Sequence, residues 1–198
     1  MTQTHLLVAG ALLARPGRRR RNAAVMAGAL IPDAAIFALF AWGLAAGVPQ
    51  ETLWRETYWS PGWQAVIAAG NSMPLYGALL CLSLLVIQPS DGRPRAEALP
   101  ALFALAALIH LAGDLPLHND DAHRHFWPLT DWRFISPLSY WDRDHHAAWI
   151  APLEALLGIA AAIVLFRRFQ ARWVRAALAL AIAAYLAVPA FFIVSLAA

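Results

Sequence analysis

Long apolar runs, punctuated by short arginine clusters, constrain this chain more than any other feature. Five stretches, roughly 22–47, 63–87, 97–115, 147–166 and 173–196, are mostly apolar. Each approaches or exceeds the ~20 residues that a helix needs to cross a hydrocarbon core about 30 Å thick. In lipid every backbone N–H and C=O must be satisfied within the element, so helices are the expected form. A sixth apolar stretch, 3–14, is too short to span and is expected to pack as a half-helix against the others. Composition agrees: the chain is 61% hydrophobic and 14% charged, against about 45–50% and about 25% for a soluble domain. The expected fold is therefore all-α, a polytopic membrane bundle of about five spanning helices plus a short N-terminal half-helix, in one domain over residues 1–198.

The arginines give the chain a direction. Arg15, Arg18, Arg19, Arg20 and Arg21 precede the first full span, Arg93 and Arg95 separate the second and third, and Arg167, Arg168, Arg172 and Arg175 separate the fourth and fifth. Counting spans puts all three clusters on one side, which the positive-inside rule makes cytoplasmic. The expected location is an inner (plasma) membrane, crossed several times, with the connections 48–62 and 116–146 extracytoplasmic. Trp54, Tyr58, Trp59 and Trp63 sit at an outer end, as an aromatic belt would. The apolar stretch from His5 to Ala14 comes before the first arginines, the reverse of a secretory signal. No basic patch interleaved with aromatics occurs on a polar segment, which argues against a nucleic-acid partner. The single cysteine, Cys81, excludes an internal disulfide and reads as a small buried hydrophobe.

Chemistry is concentrated on the outer side. His5, Asp33, His110, Asp114 and Glu154 are ionisable residues within apolar segments, where each is costly and so a functional candidate. At about 1.5 Å of rise per residue, Asp33 lies roughly 18 Å and His5 roughly 15 Å from the cytoplasmic edge. His110, Asp114 and Glu154 fall in the outer halves of their spans, so groups from several segments reach similar depth. His110 and Asp114, four apart, share a helix face. His118 continues the spacing, although Pro116 ends or bends the helix. The loop 116–146 adds Asp121, His123 and His125 and holds five of the seven histidines.

Imidazole and carboxylate groups at this density suit a divalent ion, zinc first and manganese second. His5, Asp33, His110, Asp114 and His118 are the expected inner ligands, with Asp121, His123 and His125 completing or gating the site. An aspartate left unligated, Asp33 or Asp114, would serve as a base or orient a histidine. Asn71 and Ser72 lie at matching depth to hydrogen-bond a substrate oxygen, and Arg133 offers a bidentate grip on a phosphate.

Each residue also has a structural reading. His110 and Asp114 can form an interhelical hydrogen-bond pair, and Asp33 can be satisfied by backbone or by Asn22. Glu154 can pair with Arg133 or a histidine, and His145 and His146 can simply begin a helix. Phe126, Trp127, Trp132, Phe134, Tyr140 and Trp141 read as an amphipathic lid at the interface. The chain has no G-x-S-x-G, P-loop, G-x-G-x-x-G or C-x-x-C motif, so serine-hydrolase and nucleotide readings find no support.

Three stretches, THLLVAGALLA, GALIPDAAIF and HLAGDLPLHNDDAHRHFWPLTDWRFISP, resemble the bacterial inner-membrane proteins known as membrane-bound metal-dependent hydrolases, a group with a DNA-damage-inducible member. The matched positions are His5, Asp33, His110 and Asp114. The resemblance implies a divalent-metal site and hydrolysis of a phosphoester or lipid-linked substrate at the outer face. The chain departs from that family at two points. Ala35 stands where a second acid is usual, and AGNSMPLYG stands in place of H-R-G-x-x-H-S. A non-catalytic metal-handling or transport protein is the alternative, and a structural membrane protein is the third reading.

Overall fold

The computed structural model describes the backbone of residues 1–87, 94 and 97–197, and side chains up to residue 187. Arg93 and Arg95 lie outside the described residues. Regular structure among the described residues is entirely helical. The elements are α1 (Thr2–Leu13), α2 (Arg19–Ala45), α3 (Gln50–Arg55), α4 (Pro61–Gly70), α5 (Met73–Val86), α6 (Leu99–Asp114), α7 (Ala147–Arg168) and α8 (Arg172–Ala197). Three helical stretches are long and apolar enough to cross a membrane: α2, the α4–α5 pair, and α7. Leu85, Leu156 and Trp149 point outward from these helices, a surface that lipid tolerates and water does not.

The second expected span is two helices. Pro74 has no N–H with which to reach back to Gly70, and the phenol of Tyr76 donates to the Gly70 carbonyl instead, at 2.9 Å. Ser72 caps α5 by accepting from the Leu75 N–H at 3.2 Å. The buried Asn71 stitches the break to α2, donating to Pro32 O at 3.1 Å and Ile67 O at 3.0 Å.

α1 packs against α7 through Leu7, Ala161, Ala162 and Leu165, and α2 packs against α6 through Val25, Ala29, Leu102 and Ala106. Gly28 sets the second approach, because a Cβ there would collide with the Phe103 backbone. One end of the bundle collects arginines. Arg15 and Arg21 both reach Glu97, at 3.1 and 3.3 Å, and Arg168 donates to Ala14 O at 2.9 Å. The N-terminus of α1 and the C-terminus of α6 lie at the opposite end, beneath the irregular loop between α6 and α7. α6 has 16 residues, about 24 Å of helix, and its last residue, Asp114, lies inside the bundle.

Two local expectations change. Cys81 is exposed, not buried; α5 is apolar all round, so composition does not reveal which face packs. Of the expected aromatic belt, Trp54 and Trp59 are exposed, whereas Tyr58 and Trp63 are buried with Leu53 and Ile67.

Candidate metal centre

Two helices bring two imidazoles onto one carboxylate. His5 comes from the first turns of α1, His110 from the penultimate turn of α6, and Asp114 from its end. They are 5%, 0% and 2% exposed. His5 Nε2 lies 2.8 Å from Asp114 Oδ1, and His110 Nε2 lies 2.9 Å from Asp114 Oδ2. Neither nitrogen meets the geometry of a hydrogen bond, yet each is close enough to pair with the carboxylate by charge. The His110 Nδ1 settles the tautomer: it sits 2.6 Å from the Ala29 carbonyl, an acceptor only, so it carries the proton. Nε2 of a neutral His110 is then a bare lone pair, the form that binds metal.

The His5 ring stacks on His110 at 3.9 Å between centroids. Gly113 makes the slot, since a Cβ there would come within 2.9 Å of His5 Cε1. The ligand atoms of His5, His110 and Asp114 all lie within 4.8 Å of one another. Two imidazoles and a carboxylate suit a transition ion.

Two further groups border this core. Asp33 on α2 has Oδ1 3.6 Å from His110 Nε2, while its Oδ2 accepts from the Thr2 hydroxyl. His118 spans two acids, with Nε2 3.4 Å from Asp114 Oδ1 and Nδ1 2.9 Å from Asp121 Oδ2. Burial pulls the His118 imidazole down, but Asp114 and then Asp121 outweigh it and hold it at about 9. His123, its ring 5.0 Å from that of His118, goes the other way. Burial and then the charge of His118 bring it to about 4. His125 is also lowered, chiefly by burial, and its Nδ1 lies 3.2 Å from the Asn71 carbonyl.

Asp33 and His118 open onto a cleft of about 500 Å³ whose walls include Tyr58, Trp59, Tyr140 and Trp141. His5 borders a second cavity of about 290 Å³, which also touches α6 and α7 and is lined by Ile109, Leu153 and Leu157.

The structure thus gathers His5, Asp33, His110, Asp114 and His118, with Asp121 attached through His118. His123 and His125 form a separate row. The hydrogen-bonding groups of Asn71 and Ser72 go largely to backbone: Asn71 joins the helix break to α2, and the Ser72 hydroxyl donates to Trp127 O. Arg133 donates to Ala122 O at 3.2 Å and Gln64 Oε1 at 2.9 Å, outside the cleft lining. Glu154 meets neither Arg133 nor a histidine: it accepts from the Thr4 hydroxyl at 2.6 Å and lies 3.7 Å from the amino terminus. Asn22 bonds to the Arg15 backbone, not to Asp33. His145 pairs with Asp142 at 2.7 Å, and His146 caps α7 with φ of 69°. Sequence reasoning missed Thr2, the Ala29 carbonyl and Gly113; only Gly113, lying between His110 and Asp114, left a visible trace.

Fold and site together define an all-helical protein with membrane-length helices and a buried His–His–Asp cluster. Compared with models of known protein families, with curated proteins and with solved structures, the chain matches none.

Proposed function

We propose that the protein is a membrane-bound metal-dependent hydrolase acting at the outer face of a bacterial inner membrane on a phosphoester or lipid-linked substrate. One observation carries this reading. Two buried imidazole nitrogens approach the two oxygens of one buried carboxylate without hydrogen-bonding to them. Unpaired buried polar atoms are costly, and a divalent ion, zinc first and manganese second, would satisfy all of them together. Such an ion supplies a Lewis acid and makes a bound water acidic near neutral pH.

The chain's own residues do the rest. The Ala29 carbonyl fixes the His110 ring so that Nε2 faces the site. Asp33, oriented by Thr2 and open to the cleft, is placed to accept a proton from a reacting group there. Cavities on two sides of the cluster, one polar and aromatic and the other mostly aliphatic, suit an amphiphile. The packing beneath the cluster, through Ala9, Val25, Leu102 and Ala106, is apolar. That suits a one-sided site rather than a path for an ion across the bundle. Five crossings, by α2, α4–α5, α6, α7 and α8, with the arginine end cytoplasmic, complete this reading.

The test is metal content, by elemental mass spectrometry on detergent-purified protein, beside the His110→Ala/Asp114→Ala variant. Near-stoichiometric zinc or manganese in the wild type, lost in the variant, is expected, followed by phosphoester hydrolysis that depends on the same residues. A wild type that stays metal-free after incubation with both ions overturns the proposal.

A further inference from the structure

The cleft beside the cluster has a chemistry of its own. One wall carries Trp54, Tyr58 and Trp59, the other Tyr140 and Trp141. Its ionisable lining is Asp33, Asp120, Asp121, His118 and His123, and no arginine is among the described lining residues. The chain contains no lysine, and two arginines of the neighbouring loop are engaged elsewhere. Arg124 binds Asp131 at 2.7 Å and Gln64 O, and Arg133 binds Ala122 O and Gln64 Oε1. Even with His118 protonated between Asp114 and Asp121, Asp33 and Asp120 leave the cleft with excess negative charge. Burial first, and then the charge of Asp121, push both the Tyr58 and Tyr140 phenols up, with the Arg133 charge opposing the rise at Tyr58.

An anionic group entering this cleft meets carboxylates, and no guanidinium is among the described lining residues. A soft cation meets ring faces and carboxylates together, the combination that recognises quaternary ammonium groups. The fold already uses one of these rings in this way, with the Arg133 guanidinium 5.6 Å from the centre of Trp59. His118 lies nine-tenths buried in the wall, with its Nδ1 turned to Asp121 Oδ2 at 2.9 Å. The volume, about 500 Å³, falls within the ordinary range for small-molecule sites, about 300–1,000 Å³.

We infer that this cleft binds an ammonium group, carried by a membrane amphiphile or by a free amine. The inference stands on the cleft alone. If the hydrolase reading holds too, it narrows the substrate to a phosphoester with an ammonium head.

The test is isothermal titration calorimetry on the full chain in a neutral detergent, with three probes. They are choline, its uncharged carbon isostere 3,3-dimethylbutan-1-ol, and dibutyrylphosphatidylcholine. Choline is expected to bind at least about 10-fold more tightly than the isostere, the selectivity a desolvated cation–π site gives. Trp141→Leu and Asp120→Asn, both at exposed positions, are each expected to weaken choline by roughly 5- to 10-fold. A short-chain lipid that binds more tightly than choline assigns the ammonium to a lipid head, and equal affinities assign it to a free amine. Equal binding of choline and the isostere, or of neither, overturns the inference. Choline binding that persists in His110→Ala/Asp114→Ala separates this site from the metal reading.

Discussion

Two groups of histidines lie within one turn of each other and behave differently. His5 and His110 come from different helices, point at one carboxylate and leave their Nε2 atoms without hydrogen bonds. His118, His123 and His125 come from one loop and lie side by side, ring centroids 5.0 and 5.8 Å apart. Yet they share no acceptor: His118 is held by two aspartates, and His125 faces a backbone carbonyl. The loop is the denser cluster in sequence, but the sparser residues make the group whose geometry could hold a metal ion. Density along a chain counts ligand types, whereas a metal needs ligand atoms aimed at one point.

The largest expected effect would break this contrast if it failed. His110→Ala/Asp114→Ala should lose bound metal altogether, whereas His123→Ala/His125→Ala should retain it near wild-type stoichiometry. Elemental analysis of both variants decides the matter. Equal loss in the two would place the ligands in the loop row as well.

Gly113→Ala sharpens the same contrast without removing any ligand. Its Cβ would press on His5 Cε1 at 2.9 Å, so the ring must shift by several tenths of an ångström. Displacing a ligand's support typically costs about 10- to 100-fold in metal affinity. Alanine is also the better helix former, by about 1 kcal/mol. Metal affinity should therefore fall while the thermal midpoint of the metal-free protein holds or rises. A competition titration with a chromogenic chelator, run beside a melting curve, separates the two effects.

Asn71→Ala tests the support beneath the outer row. It strips donors from the Pro32 and Ile67 carbonyls and loosens the segment whose carbonyl faces His125. The backbone N–H at residue 71 still donates to Ile67 O, so the loss is of two buried side-chain hydrogen bonds, about 1–3 kcal/mol together. A drop of that size in denaturant stability is expected, with metal stoichiometry unchanged.

What the sequence made legible follows from which forces are local. Apolar length is local, so membrane-length helices could be read directly, and the shared face of His110 and Asp114 follows from a spacing of four. Depth counted from the arginines brought His5 and Asp33 to the same level. The break at Asn71–Ser72 was harder to see, because run length ignores the carbonyl that Pro74 frees and Tyr76 takes up. Arg133 looked like a phosphate clamp because an arginine's partners are tertiary; here they are Gln64 and Ala122. The Gly113 slot depends on α1 lying across α6, which no local pattern encodes.

The smallest effect expected is a pH dependence with two opposing signs, read on protein stripped with chelator. His118 is held at about 9, above its unfolded value of about 6.5. Its contribution to stability is therefore complete below about pH 6.5 and is lost as pH rises through about 9. His123 is held near 4, so the unfolded chain takes up a proton at this position before the folded one does. Stability falls as pH drops from about 6.5 towards 4. Because the apolar helix packing does not titrate, each limb should amount to only about a few degrees in the melting midpoint. His123→Asn should shrink the acid limb, to which His125 also contributes, and leave the alkaline limb, and His118→Asn should flatten the alkaline limb alone. If either substitution flattened both limbs, the two rings would be titrating as one unit, and the separation between inner cluster and outer row would fail at His118, the residue that touches both.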